Sequence, residues 1–158
     1  MQSILLSIMF AVSSLERLLP PLPFMPPGAR IGLANVVVMY TVFFIGPGEA
    51  FILNFLKSAL ISLSRSPIAG SFSLAGGMLS CCVIVILVKL FGNRVSVILI
   101  SITGAIAHNL GQLAVFSVMI GLPVALYYLP FLLVAGIVMG IVTGITLNVI
   151  LPVIKNKP

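Results

Sequence analysis

A histidine, an asparagine and a glutamine (His108, Asn109 and Gln112) fall together inside an otherwise apolar stretch of this 158-residue chain. Imidazole and carboxamide groups bind and orient polar solutes, and within hydrocarbon each needs a partner or a cavity. Ser101, Gly104, His108 and Gly111 follow one another at three- and four-residue steps, with Gln112 four beyond His108, so on a helix they share one face. Asn109 borders that face, and Gly104 and Gly111 clear space beside it. Two readings stand: a histidine satisfied by a neighbouring helix, or the wall of a binding pocket. Three polar side chains so close together carry more hydrogen-bonding capacity than simple helix packing requires.

A second group, Asn54, Lys57 and Ser58, lies in another apolar stretch, with Arg65 two turns beyond Lys57. An ammonium near the middle of a span costs a few kcal/mol on insertion scales. Lys57 therefore either snorkels or pairs with Glu16 or Glu49, or it counters an anionic ligand or lines a watered cavity. A third group is the tract Pro-Pro-Gly-Ala-Arg-Ile-Gly-Leu-Ala-Asn at 26–35, a rigid loop that feeds Arg30 and Asn35 into the start of a helix. Positive helix N-termini favour anions, and Arg30 would strengthen that; a loop that merely closes one end of a bundle is the plainer reading.

Composition narrows the field. Hydrophobic residues make up 61% of the chain and charged residues 6%, with a mean hydropathy of +1.34. Soluble domains carry about 25% charged residues, so this is the composition of an integral membrane protein. Glu16 and Glu49 are the only acids against eight Lys and Arg, a net charge of +6. Most cations thus have no acidic group available within the chain and must meet water, lipid phosphate, a partner or an anionic ligand. Chemistry that needs clustered carboxylates is excluded. No Gly-rich phosphate loop, nucleophile elbow or His-Glu-x-x-His is present, so no catalytic residue is assigned and any use of ATP requires a partner's motor. Basic residues are scattered, leaving no nucleic-acid footprint. Cys81 and Cys82 are adjacent, a poor geometry for a disulfide, and with one His they fall short of a zinc site; no metal is expected.

Six stretches are long and apolar enough to position these groups across a bilayer core of about 30 Å. They are residues 2–19, 30–45, 49–64, 70–91, 95–120 and 130–151, punctuated by the Pro-rich connector 20–28, Gly46-Pro47-Gly48, Ser66-Pro67, Gly92-Asn93-Arg94 and Gly121-Leu122-Pro123. The apolar run 4–12 resembles a signal-peptide core but has no basic residue before it, and reads as a first membrane helix. The expected fold is an all-α, six-transmembrane-helix bundle forming a single membrane domain over 1–158. An even number of spans puts both termini on one side. Lys89, Arg94, Lys155 and Lys157 on that side outnumber Arg17, Arg30 and Arg65 opposite, which favours cytoplasmic termini. Tyr127 and Tyr128 fall where an interfacial aromatic belt would lie.

Two small-residue stripes concern packing. Gly136, Gly140, Gly144 and Asn148 recur every four residues, as do Ser3, Ser7 and Ala11. Close approach of helices within the chain or docking to another membrane protein would each explain them. Ser71, Ser73, Gly76, Gly77 and Ser80 make a further small, mildly polar segment that either packs tightly or lines a pocket.

Glu16-Arg17-Leu18-Leu19-Pro20, the 26–35 tract, Ser-Ile-Thr-Gly-Ala-Ile-Ala-His-Asn-Leu-Gly-Gln at 101–112 and Tyr-Tyr-Leu-Pro at 127–130 resemble the bacterial family labelled heptaprenyl diphosphate synthase component I, also called the Gx transporter family. The resemblance covers nearly the whole chain. It implies kinship with the substrate-binding S components of energy-coupling-factor (ECF) transporters, six-helix proteins that capture a small solute and dock to a transmembrane coupling subunit with two ATPases. It further implies a solute site touching Arg30, Asn35, Lys57, His108, Asn109 and Gln112, docking through Ser3, Ser7 and Ala11, no directly bound cofactor, ATP consumed by the partners, and a place in the bacterial cytoplasmic membrane. Serines stand where that docking stripe usually has alanine, and Lys57 stands where an arginine is usual, keeping the charge without a bidentate fork. The family's other name implies an accessory to prenyl diphosphate synthesis. Such synthases hold magnesium-diphosphate with clustered aspartates, and this chain has none, so it could serve there only as a non-catalytic membrane component.

Overall fold

Proline opens helices in this chain. Pro47 and Pro67 stand at the start of their helices and Pro123 at the second position of another, where the missing N–H is one that an α-helix leaves unused. Glycines with positive φ precede two of them, Gly46 (φ 144°) and Gly121 (φ 94°), a conformation that side-chain-bearing residues rarely adopt. Serines cap two helix starts, that of Pro67 and one more: Ser66 Oγ accepts from the Ala69 N–H at 3.1 Å and Ser96 Oγ from the Leu99 N–H at 3.2 Å.

The computed structural model describes residues 2–15 and 35–155. They form α1 (Gln2–Leu15), α2 (Asn35–Phe44), α3 (Pro47–Ser64), α4 (Pro67–Phe91), a 3₁₀ turn (Gly92–Arg94), α5 (Val97–Ile120) and α6 (Leu122–Lys155), with no strand among the described residues. Among the described residues, three helices are long and apolar enough to cross a membrane: Pro67–Phe91, Val97–Ile120 and, within α6, Leu122–Val149. α2 is apolar but only 10 residues long. Residues 16–34, which include Glu16, Arg17, the Pro-rich connector and Arg30, lie outside the described residues.

The expected spans match helices α1 to α5 to within a few residues where they can be compared. The last does not start at 130. α6 begins at Leu122 and a single residue, Gly121, separates it from α5. Pro123 sits in the first turn, where it is tolerated. Pro130 lies within the helix, where it costs one backbone hydrogen bond without ending it.

α5 is the central helix. Half of its apolar span is buried, against 28% for α4 and 22% for α6, the two helices that flank it. α3 packs on α4; α1 and α2 pack on α3, and α2 also reaches α4 and α6. The glycine stripe of α6 packs internally: Gly136, Gly140 and Gly144 rest on the backbones of Ile106, Ile102 and Ile98 of α5, an antiparallel register stepping one turn at a time. Asn148, the fourth member, is exposed. Many large apolar side chains face outward, including Leu63, Leu90, Val118 and Val134. That surface is suited to lipid.

Two apolar clusters hold the bundle. One joins Met9, Val38, Met39, Leu53, Cys81, Ile84, Ile100 and Leu147; the other joins Phe72, Leu113, Phe116, Ala125 and Leu132. Along α4 the sequence runs from Phe72 through Ser73, Gly76, Gly77 and Ser80 to Cys81. Along α5 it runs from Ile100 through Ser101, Gly104, His108 and Gln112 to Leu113. The buried polar side chains therefore form a layer between the two clusters.

Candidate ligand-binding site

The polar layer is centred on the Gly76-Gly77 pair of α4. Asn54, Lys57, Ser58 and Ile61 are all buried on one face of α3, the 3.6-residue period turning them together toward α4. Asn54 is fully buried and lies so close over Gly77 that a methyl group there would overlap its carboxamide. The Ser58 hydroxyl donates to the Asn54 carbonyl at 2.9 Å and lies 3.2 Å from Ser73 Oγ, linking α3 to α4. From the other side, α5 brings His108 against Gly76, and Gly111 of α5 seats on the Ala75 carbonyl. Glycine is required at 76 and 77 because two polar side chains from different helices occupy the space a Cβ would take.

His108 and Gln112 are one turn apart and joined: the Gln112 Nε2 stands 2.7 Å from His108 Nε2. With the amide nitrogen donating, Nε2 is the acceptor and the neutral ring carries its proton on Nδ1. That atom faces the Gly76 backbone, with which the ring interacts, and has no side-chain partner among the described residues. The Lys57 ammonium, buried on α3, acts electrostatically on the same ring. Both carboxamide atoms of Asn54 likewise lack a hydrogen-bond partner among the described residues. Each buried polar group left in this condition costs roughly 1–3 kcal/mol. Donors and acceptors beside a buried cation are of the kind that a polar ligand can meet.

The remaining expected site residues are distributed differently. Asn109 turns away from this cluster: its Nδ2 donates to the Leu132 carbonyl at 2.7 Å and ties α5 to α6. Asn35, at the start of α2, lines a separate small cavity with Ser80, Ser101, Gly104 and Thr143. Arg30 lies outside the described residues. Of the expected docking stripe, Ser7 and Ala11 are exposed on α1, and the side chain of Ser3 lies outside the described residues. The expected list lacks Asn54, whose signal was its position one turn before Lys57 and Ser58. It also lacks Thr143, whose signal was its place between Gly140 and Gly144 on the face that meets α5.

No group of three or more His, Cys, Asp or Glu side chains with the geometry of a metal site occurs among the described residues. Asn54, His108 and Gln112 supply hydrogen-bonding groups and Lys57 adds a buried cation.

An apolar helical bundle with a buried polar layer, and with three helices among the described residues long and apolar enough to cross a bilayer, is of membrane type. The chain belongs to the heptaprenyl diphosphate synthase component I family, whose sequence profile matches residues 5–150. No curated protein and no solved structure matches it.

Proposed function

We propose that this chain is the substrate-binding component of an ECF-type importer, a single membrane domain of six crossing helices in the bacterial cytoplasmic membrane, with cytoplasmic termini. The observation that carries the reading is the meeting of Asn54 of α3 with Gly77 and of His108 of α5 with Gly76, where Gln112 is bonded to the His108 ring and Lys57 acts on it electrostatically. A small anionic solute satisfies that set: its negative charge meets Lys57, and its hydrogen-bonding groups meet the Asn54 carboxamide and the His108 Nδ1–H. Gln112 fixes the ring that presents this donor. Of the other expected contacts, Asn109 is bonded to α6 and Asn35 lines a separate cavity, so the reading rests on Lys57, His108 and Gln112 together with Asn54, with Arg30 lying outside the described residues. The transmembrane coupling subunit docks on the stripe of Ser3, Ser7 and Ala11, of which Ser7 and Ala11 are exposed, and ATP is consumed by the paired ATPases, no cofactor being held by this chain.

The test is retention and uptake of a solute. Mass spectrometry of the purified wild-type protein is expected to find a small anion that Lys57→Ala and His108→Ala lose, with uptake lost in both variants. Unchanged uptake in both would refute the site.

A second reading is favoured by the family match itself. The family is described as a component of a synthase, which points to a protein partner of that kind. On this reading the chain is a non-catalytic membrane accessory of heptaprenyl diphosphate synthesis. Its deletion then lowers long-chain prenyl diphosphate formation in membranes while leaving solute uptake intact.

A further inference from the structure

The cavity between α2, α4, α5 and α6 lies one turn along α4 from Gly76 and is separate from the solute site proposed above. It has about 10 Å³ of space for water-sized groups, room for one water. Its polar lining comes from four helices: Asn35 (α2), Ser80 (α4), Ser101 (α5) and Thr143 (α6), each at least nine-tenths buried. Asn35 Oδ1 and Ser80 Oγ have no hydrogen-bond partner among the described residues. Thr143 and Ser101 are hydrogen-bonded to each other, and the Thr143 hydroxyl donates to the Met139 carbonyl of its own helix at 2.9 Å.

Counting protons selects the occupant. A hydroxyl has one hydrogen. Thr143 spends its own on Met139, so Ser101 donates to Thr143 and keeps only lone pairs for the cavity. Asn35 Oδ1 is an acceptor as well. Ser80 has a proton to give. The cavity thus presents two acceptors and one donor and calls for a molecule with two donors and one acceptor, making three hydrogen bonds. We infer that this cavity is the binding site of a single ordered water, which donates to Asn35 Oδ1 and Ser101 Oγ, accepts from Ser80, and so fastens the start of α2 to α4 and α5. A hard cation fits poorly. Such ions take about six oxygens and favour carboxylates, and here the lining holds no carboxylate, in a chain of net charge +6.

The test is a double-mutant cycle on the full-length protein purified in detergent, using Asn35→Leu, Ser80→Ala and the pair. If one water joins the two residues, each single variant lowers the unfolding midpoint by roughly 2–4 °C. The double variant then falls by clearly less than the sum, and amide exchange quickens at the start of α2 but not across the α5–α6 contact. Strictly additive losses overturn the inference. Should Asn35→Leu fail to fold, the same cycle on Ser80→Ala and Ser101→Ala applies, with the same expected non-additivity and the same refuting outcome. Melts of the wild type in sodium, potassium and choline chloride give the remaining arm. Equal midpoints support water, whereas stabilisation by sodium alone that the variants lose overturns water in favour of a cation.

Discussion

The imidazole of His108 lies against Gly76 so closely that a methyl group on that glycine would stand 2.9 Å from Nδ1 and 2.8 Å from the His108 backbone carbonyl. The approach of α5 to α4 and the placing of the ring are thus one constraint. A change at residue 76 is felt at residue 108.

Gly76→Ala is therefore expected to lose about 1–3 kcal/mol of stability by overpacking and to weaken solute retention with it. Gly48→Ala is the control. Nothing lies within 4 Å of a Cβ there, so removing glycine from the first turn of α3 should stabilise by about 0.5–1 kcal/mol. Thermal melts of the two variants beside the wild type check the contrast, and equal effects would refute it.

Asn54→Leu is expected to separate stability from binding. The leucine is close in size and removes two buried polar atoms that have no hydrogen-bond partner among the described residues, so the ligand-free protein should melt as high as the wild type or higher. Solute retention, measured by mass spectrometry, should be lost. A variant that melts several degrees lower yet still holds solute would show Asn54 to be a packing residue.

Thr143→Val and Ser101→Ala should differ although they break the same contact. Thr143 has the Met139 carbonyl for its proton. Losing Ser101 therefore leaves it satisfied, at a cost of about 0.5–1.5 kcal/mol. Losing Thr143 leaves Ser101 to find another acceptor within the bundle, and the expected cost rises to about 1–3 kcal/mol. Unfolding midpoints in one detergent rank the two, and the reverse order would refute the proton assignment.

Gly140→Ala should be more damaging than Gly136→Ala. At 140 the added methyl would overlap the backbone of Ile102, which cannot rotate aside, while at 136 its nearest neighbours stand at 3.2 Å and include the Asn109 side chain. The expected difference is about 1–2 kcal/mol, read as a lower midpoint for the first variant.

Much of this arrangement can be read from residue order because lipid imposes simple rules. The breaks before α3 and α4 were legible in Gly46-Pro47-Gly48 and Ser66-Pro67, although the helices begin two and three residues earlier than expected, at the prolines themselves, and the shared face of Ser101, Gly104, His108 and Gln112 was legible in their spacing. The start of α6 was not. Pro123 and Pro130 suggest a connector, and only the structure shows the helix running through both. Asn109 was misleading for a geometric reason: one residue along a helix is a rotation of about 100°, enough to direct it to α6 while His108 faces α4. The cavity at Asn35 was hidden too, since it is built from four helices with no common spacing to reveal it.

The glycine contacts on the two sides of the polar layer differ in kind. On α6, Gly140 bears on the Ile102 main chain and Gly144 on that of Ile98; on α4, Gly77 bears on the Asn54 carboxamide of α3. Main chain in a helix has nowhere to go, whereas a side chain has rotamers. If the proposed solute site holds, Asn54 is the group that can turn aside to make room, because its contact with Gly77 is made by side-chain atoms alone.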